Sequence, residues 1–418
     1  MNTNINKITS CEVCGSKNLK PVLNLGLHPM CDDLVNVGDT RLCKEYPIEI
    51  VFCDTCLTAH QKYQIPKEEL FPSTYHYRSR FTSDVLNGMK GLVESSTVRF
   101  GSMVGKKVLD IGCNDGSLLD FFREKGAITI GLEPTGACAD AEAKKHITYN
   151  EYLSVEAAKK IVSANGKVDF ITFTNVFAHI ENLNSVLDAL RVLMTESTVI
   201  IIENHYLGAV LDKNQFDTFY HEHPRTYSYS SFRFMAKSLG LEPIEVEFPS
   251  RYGGNIRVFL GNENLYGIKG SINLNELIKK ETLFLSRFEK LRENIESWKS
   301  KKKAFLAELV KTHGPLKAKA FPGRAAILVK LLELDTDTIS VVYEKPGSLK
   351  IGYYLPGTKI PIKSDEEMYK LEDKTQPIIN LAWHIPSEIR SYLTKNLFTG
   401  TIIDILSEED FKVIVNNH

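Results

Sequence analysis

The chain has 418 residues, enough for two or three domains with their own cores, and 43% hydrophobic with 25% charged residues is ordinary for a globular protein. Its 51 basic and 52 acidic residues nearly cancel, which argues against nucleic acid as a partner. No apolar run approaches the roughly 20 residues that span a bilayer, and Met1-Asn2-Thr3-Asn4 lacks the apolar core of a secretory signal; no membrane partner is expected, and a reducing cytoplasm is the expected compartment.

The first 65 or so residues are turn-rich and carry two CxxC pairs, Cys11-Glu12-Val13-Cys14 and Cys53-Asp54-Thr55-Cys56. The two-residue gap lets both thiolates of a pair reach one tetrahedral ion. Four soft sulfurs with no open position predict a structural zinc. A thioredoxin-like redox role would use one pair and leave the second without a task. Cys31, Cys43, Cys113 and Cys138 have no partner at ligand spacing and are expected to pack.

From about residue 100 to 260, short β-branched runs alternate with amphipathic stretches. Strands are expected at Lys107–Ile111, Ile128–Leu132, Phe170–Phe173 and Val199–Glu203, and helices at Leu118–Glu124 and Asn184–Met194. That rhythm predicts a parallel sheet covered on both faces. Val108-Leu109-Asp110-Ile111-Gly112 ends the first of these strands, and Cys113-Asn114-Asp115-Gly116-Ser117 turns into a helix. Gly112 and Gly116 permit a close backbone approach to a ligand, and Asp110 can fix the amino-acid end of a cofactor. Glu133, followed by Pro134 at the end of the next strand, can accept two ribose hydroxyls. A dinucleotide site would want GxGxxG. The GxNxG here, with Asn114 and Asp115 inside the turn, favours S-adenosylmethionine over NAD. Asn175, after the third strand, is a further cofactor candidate, and His179 points towards a substrate or is a hydrogen-bonded helical histidine.

Tyr220-His221-Glu222-His223-Pro224 places four proton-handling side chains in a row. Neighbouring side chains cannot all face one way, so two or three at most line one pocket. His221 and His223 can share a face in extended structure, as can Tyr220 and Glu222. Histidine is the natural base at neutral pH, glutamate can orient its ring, and a tyrosine hydroxyl can hold a developing enolate. HExH is one residue short of the HExxH zinc motif, and on a helix its histidines would not share a face.

Residues 270 to 312 read as a long amphipathic helix with a break, and Phe284, Phe288, Leu291, Ile295 and Trp298 form an apolar seam. The basic run Lys299–Lys303 is expected to be a solvated face of that helix. Beyond it, strand-like runs at Thr338–Tyr343, Ile378–Ala382 and Thr401–Ile405 suggest a second, smaller α/β domain.

Taken in order, these motifs resemble the sugar C-methyltransferases that act on nucleotide-linked keto-deoxysugars. The likeness runs through the double CxxC, Tyr75-His76-Tyr77, Leu-Asp-Ile-Gly-Cys-Asn-Asp-Gly from Leu109, Asn-Val-Phe-Ala-His to His179, Tyr-His-Glu-His-Pro to Pro224, Arg251-Tyr252-Gly253-Gly254-Asn255-Ile256-Arg257-Val258, and Leu355–Ile362. The resemblance implies an α/β protein in three parts: a small zinc-binding domain over 1–70, a central Rossmann-like class I methyltransferase domain over 71–265, and a long helix with a smaller Rossmann-like nucleotide-sugar-binding domain over 266–418. It implies His223 as general base supported by Tyr220 and Glu222, His179 near the sugar, Tyr77 on the substrate side with Tyr75 as runner-up, and a monomer. Ala320-Phe321-Pro322-Gly323-Arg324 departs from the family's glycine-rich loop, which leaves the nucleotide carrier open. The expected reaction is methylation of a carbon beside a ketone through a histidine-generated enolate. Its rivals are O- or N-methylation, and a zinc-knuckle binding protein with a degenerate core.

Overall fold

The computed structural model describes residues 5–71, 77–270 and 272–412. It divides into two compact units. The first comprises the described residues of Met1–Pro21, Ile50–Val210 and Glu222–Leu285; the second comprises Val22–Glu49, Leu211–His221 and Ser286–His418. Residues 22–49, inside the segment assigned above to the zinc-binding domain, therefore group with the C-terminal part.

The first unit is organised by a seven-stranded sheet. Its strands are β1 (Lys107–Ile111), β2 (Ile128–Leu132), β3 (Ile147–Tyr149), β4 (Phe170–Thr174), β5 (Val199–His205), β6 (Glu242–Glu247) and β7 (Asn255–Gly261), in the order β6-β7-β5-β4-β1-β2-β3. β7 runs antiparallel to both of its neighbours, and the other neighbouring pairs are parallel. The four strands expected from the β-branched runs are present, two with the same ends. The order reverses between β1 and β4, and in open α/β sheets the crevice beyond such a switch point is where ligands bind.

Helices cover both faces, as near-continuous apolar strands require. They include α1 (Ser83–Phe100), α2 (Ser117–Glu124), α3 (Cys138–Ala143), α4 (Val155–Asn165), α5 (Leu183–Leu193) and α6 (Tyr229–Ser238). One face packs Leu109, Ile171, Phe173, Ile202 and Ile256 against Leu187, Phe232 and Tyr227. The other packs Val108, Ile201 and Phe259 against Val85, Leu92 and Phe122. Ser228 starts α6 with a capping box: its hydroxyl accepts the Ser231 N–H, and the Ser231 hydroxyl accepts the N–H of Ser228.

Both CxxC pairs lie at turns, the second in the hairpin between two antiparallel strands. Ile50–Cys53 pairs with Thr58–Gln61, and the far edge of Thr58–Gln61 pairs with Arg225–Thr226, Arg225 opposite His60. The strand after the second CxxC pair thus shares a sheet with the chain that follows Pro224.

α7 (Leu274–Glu281) closes the first unit, and α8 (Phe284–His313) belongs to the second from Ser286 on; the expected break falls at Thr282–Leu283. All five seam residues are buried. In the second unit, Leu316–Lys319, Ile339–Glu344, Ile362–Ser364, Ile378–Asn380 and Ile402–Asp404 form a parallel five-stranded sheet with Leu316–Lys319 at its centre. The expected second α/β domain is therefore present. The basic run on α8 is not wholly solvated: Lys302 is buried, and its ammonium donates to the Asp404 carbonyl at 3.1 Å and pairs with Asp410 at 2.8 Å. The helix face that carries Lys302 turns inward, and the charge is admitted because it finds both partners.

Candidate active site

The β1 loop folds as its glycines predict. Gly112 has φ +69° and Gly116 φ +74°, and Asn114 is also left-handed at +50°. The Gly112 N–H donates to the Leu132 carbonyl at 2.7 Å, pinning the loop to β2. A Cβ at residue 112 would lie 2.6 Å from Val176. Gly112→Ala is expected to cost about 2 kcal/mol or more of stability through the left-handed backbone and the overlap together, measurable by denaturant titration alongside a weaker cofactor Kd.

Two carboxylates meet at the switch point. Glu133, 5% exposed, accepts the Asn114 N–H at 3.0 Å and the Thr135 N–H at 2.8 Å, one on each oxygen. Asp110 accepts the Thr172 hydroxyl at 2.7 Å. Burial pushes its carboxyl up to about 7, against that hydrogen bond and with the negative Glu133 adding to the rise. Among the described residues no lysine or arginine pairs with either carboxylate. This charge arrangement fits a cationic ligand with vicinal hydroxyls, as an adenosyl sulfonium amino acid is.

A pH dependence follows. Asp110 binds its proton more tightly folded (about 7) than unfolded (3.8), so its own contribution to the stability of the ligand-free protein is fully present below about pH 4 and is lost as pH rises through about 7. A cationic cofactor favours the ionised form. Its affinity is expected to strengthen from pH 5 to 7.5 with release of up to about one proton, read by titration calorimetry in buffers of different ionisation enthalpy; Asp110→Asn should abolish the proton release.

Asn114 and Asp115, expected at the cofactor, spend their side chains elsewhere. Asn114 accepts the Ser79 N–H at 3.0 Å and donates to the Tyr77 carbonyl at 3.2 Å; Asp115 accepts the Arg80 N–H at 3.0 Å and the Ser117 hydroxyl at 2.6 Å. Arg78 and Arg80 pair with Asp140 on α3. Tyr77, 42% exposed, is thus held beside the cofactor loop, whereas Tyr75 lies outside the described residues. Pro134 is half-buried after β2. Asn175 has φ +55°, and its side-chain carbonyl accepts the Asn255 amide at 3.2 Å. Asn255 donates also to Glu203 at 2.9 Å, and Arg251 and Arg257 pair with the same buried Glu203 at 3.2 and 2.8 Å. The Arg251–Val258 segment therefore supports the carboxyl ends of β4 and β5.

Three histidine rings gather at that edge. His223 lies 4.7 Å from His179 and 5.4 Å from His205, centroid to centroid. His179 Nδ1 lies 2.6 Å from the Glu222 carbonyl, and Phe71 packs edge-on against its ring. Burial holds His179 down at about 4, although carbonyls of Glu222 and Asn175 favour its proton, so it is neutral at working pH. His223 and Glu222 are both buried. The sequence sets the strand end Glu203-Asn204-His205-Tyr206 beside the cofactor without giving His205 a role; its place at the carboxyl end of a central strand was the signal available. His221 and Tyr220 belong to the second unit. There the His221 ring hydrogen-bonds the Tyr46 carbonyl at 3.1 Å, and burial holds it down at about 4.

In the knuckles, ligand atoms of Cys11, Cys14, Cys53 and Cys56 lie within 4.8 Å of one another, with sulfur separations of 3.4 Å for Cys11–Cys56 and 3.5 Å for Cys14–Cys53. Tetrahedral zinc with bonds of about 2.3 Å sets sulfurs about 3.8 Å apart, so the four thiols fit the ion. Hydrogen bonding with Cys11 and Cys53 pushes the Cys56 thiol up. Cys31, Cys113 and Cys138 are buried, Cys113 against Leu119 and Ala141, whereas Cys43 is half-buried and donates to the Asp33 carbonyl at 3.2 Å.

In the second unit, Glu344 takes the Phe321 N–H, and Arg324 is bidentate to Asp217 at 2.8 and 2.6 Å, stacked over Trp383. The cation of the altered loop is therefore neutralised within the fold.

Comparison with known proteins gives three consecutive family matches: a zinc binding domain over residues 11–71, a methyltransferase domain over 88–246 and a C-methyltransferase C-terminal domain over 250–403. C-methyltransferase NovU of Streptomyces niveus is 25% identical over 382 residues, covering 87% of each chain. A ubiquinone biosynthesis O-methyltransferase of Glaesserella parasuis is 32% identical over 24% of this chain and 45% of its own. Among solved structures, magnesium protoporphyrin IX methyltransferase of Synechocystis with bound SAM is 15% identical, covers 43% of this chain and 80% of its own, and superposes with a TM-score of 0.32. Among the described residues no helix is long and apolar enough to cross a membrane.

Proposed function

The chain belongs to the S-adenosylmethionine-dependent C-methyltransferases that carry a zinc binding domain before the methyltransferase core and a C-methyltransferase domain after it, and from that premise we propose that it methylates a carbon beside the ketone of a nucleotide-linked keto-deoxysugar. The observation that carries this reading is the packing of His223 against His179 and His205 at the carboxyl edge of the sheet, beyond Asp110 and Glu133.

Bound S-adenosylmethionine supplies an electrophilic methyl. The protein's own task is to make the acceptor carbon nucleophilic and hold it in line. His223 accepts the α-proton, whose acidity comes from the adjacent carbonyl. His179, kept neutral by burial and tied to the Glu222 carbonyl, orients the neighbouring ring and the sugar without adding charge. Glu222 supports the base, and Tyr77 lines the substrate side. Asp110, Gly112, Gly116, Glu133, Pro134 and Asn175 hold the cofactor; Asn114 and Asp115 shape the loop and the segment above it. Zinc on Cys11, Cys14, Cys53 and Cys56 has no open position and takes no part in the transfer. The protein works as a cytoplasmic monomer on a small molecule.

The test is incubation of the purified, zinc-loaded protein with methyl-labelled S-adenosylmethionine and a panel of keto-deoxysugars on different nucleotides, read by mass spectrometry and carbon-13 NMR. A carbon-bound methyl is expected. An oxygen- or nitrogen-bound methyl overturns C-methylation and selects the rival chemistry. The preferred nucleotide identifies the carrier that tolerates the neutralised loop at Arg324.

A further inference from the structure

We propose that Glu12, the residue inside the first CxxC, and Arg225 form a positioning pair that fixes the two segments bearing His179 and His223. This inference rests on the reading of His223 as the base. Arg225 is fully buried two residues after His223. Its Nη1 pairs with Glu12 at 2.7 Å and donates to the Glu181 carbonyl at 3.2 Å, two residues after His179; its Nε donates to the Tyr227 hydroxyl at 2.9 Å. One guanidinium therefore fastens both histidine segments, and the Glu222 carbonyl on His179 Nδ1 makes a second fastening between them.

A buried guanidinium needs a carboxylate, and Glu12 supplies it from the knuckle. Glu12 also accepts the Gln64 amide at 2.8 Å and faces His60 Nδ1 at 3.6 Å, while His60 Nε2 lies 3.3 Å from Cys11 Sγ. The backbone runs the same way: the Gln61 N–H donates to the Pro224 carbonyl at 2.8 Å, and Arg225 sits opposite His60 in the sheet. A zinc ligand loop needs only its four cysteines to hold the ion. A carboxylate between two of them, turned inward onto an arginine of the catalytic loop, has a second task. That task is to make the position of His223 depend on the closed knuckle.

The experiment uses full-length, zinc-loaded Glu12→Gln and Arg225→Lys, each keeping a polar group of similar size. Histidine-ring NMR, with His179 and His223 assigned by their own substitutions, reads the geometry without substrate. In both variants the zinc content and the Kd for S-adenosylmethionine should match the parent. The His179 and His223 signals should move or broaden while that of His28 stays, and kcat should fall by about 30-fold or more with KM within about twofold. Unchanged histidine signals and unchanged kcat in either folded variant overturn the pairing. Loss of zinc from Glu12→Gln, with normal turnover in whatever remains loaded, also overturns it, since Glu12 would then serve the metal alone. If Glu12→Gln does not fold, Arg225→Lys decides alone from the other side. Failure of the underlying reading looks different: His223→Ala would then retain exchange of the substrate α-proton, whatever Glu12→Gln does to the rings.

Discussion

His223→Ala is expected to lower kcat by about a thousandfold, within the range for loss of a positioned base, while the Kd for S-adenosylmethionine stays within about twofold. The separation follows from the fold. Asp110 stands on β1 and Glu133 after β2, whereas His223 stands on the loop ahead of Arg225–Thr226, so removing its ring leaves both carboxylates untouched. The vacated volume lies beside His179 and His205, both of which keep their own segments. Neither takes over at full rate, because His179 hydrogen-bonds the Glu222 carbonyl through Nδ1 and His205 reaches the edge from a different strand. Single-turnover rates with labelled cofactor, together with exchange of the substrate α-proton into deuterium oxide, separate the proton step from the methyl step. Loss of both in His223→Ala supports the base. Undiminished exchange sinks it.

Removing zinc is expected to have the largest effect on stability. The knuckle has little else inside it: its buried cluster is Cys11, Cys53 and Cys56, with Val13, Cys14 and Leu19 packed around. Structural zinc contributes about 10 kcal/mol or more in small zinc-folded peptides, and a segment with so few apolar side chains has no comparable substitute. Cys53→Ser, or extraction with a strong chelator, should lower the calorimetric Tm by about 10 °C or more. Activity should go with it, because the Cys56 carbonyl accepts hydroxyls of both Ser228 and Ser231, the residues that cap α6 directly after the loop bearing His223. A chromophoric metal indicator counts the ion released, and an unchanged Tm after its release would show that the knuckle folds without it.

Much of this was legible in the chain. Continuous β-branched runs such as Val-Leu-Asp-Ile and Val-Ile-Ile-Ile announce strands buried on both faces, and the four cysteines carry their own geometry. The motif at Asp110 places the switch point. Other features were silent for physical reasons. α1 contains Gly88 and Gly91 and has a weak apolar face; Gly88 is there because a Cβ would run into the Arg251 side chain, a contact from a distant part of the chain. Lys302 reads as solvated until Asp410 is folded against it. The tasks of Asn114 and Asp115 belong to residues 77–80, and no local pattern joins segments so far apart. Glu12 between two cysteines looks like any surface glutamate, since its partner stands roughly 200 residues later.

That distance has a consequence for synthesis. The four cysteines leave the ribosome early and can close on metal while the rest of the chain is still being made. Arg225 follows Glu12 by roughly 200 residues, about 10–40 s at ordinary elongation rates. Through that interval the knuckle has its four cysteines but neither Arg225 nor Thr226. The strand Thr58–Gln61 waits with one edge unmatched, and the carboxylate of Glu12 stays in water. Translation of residues 225 and 226 supplies both missing partners within two codons.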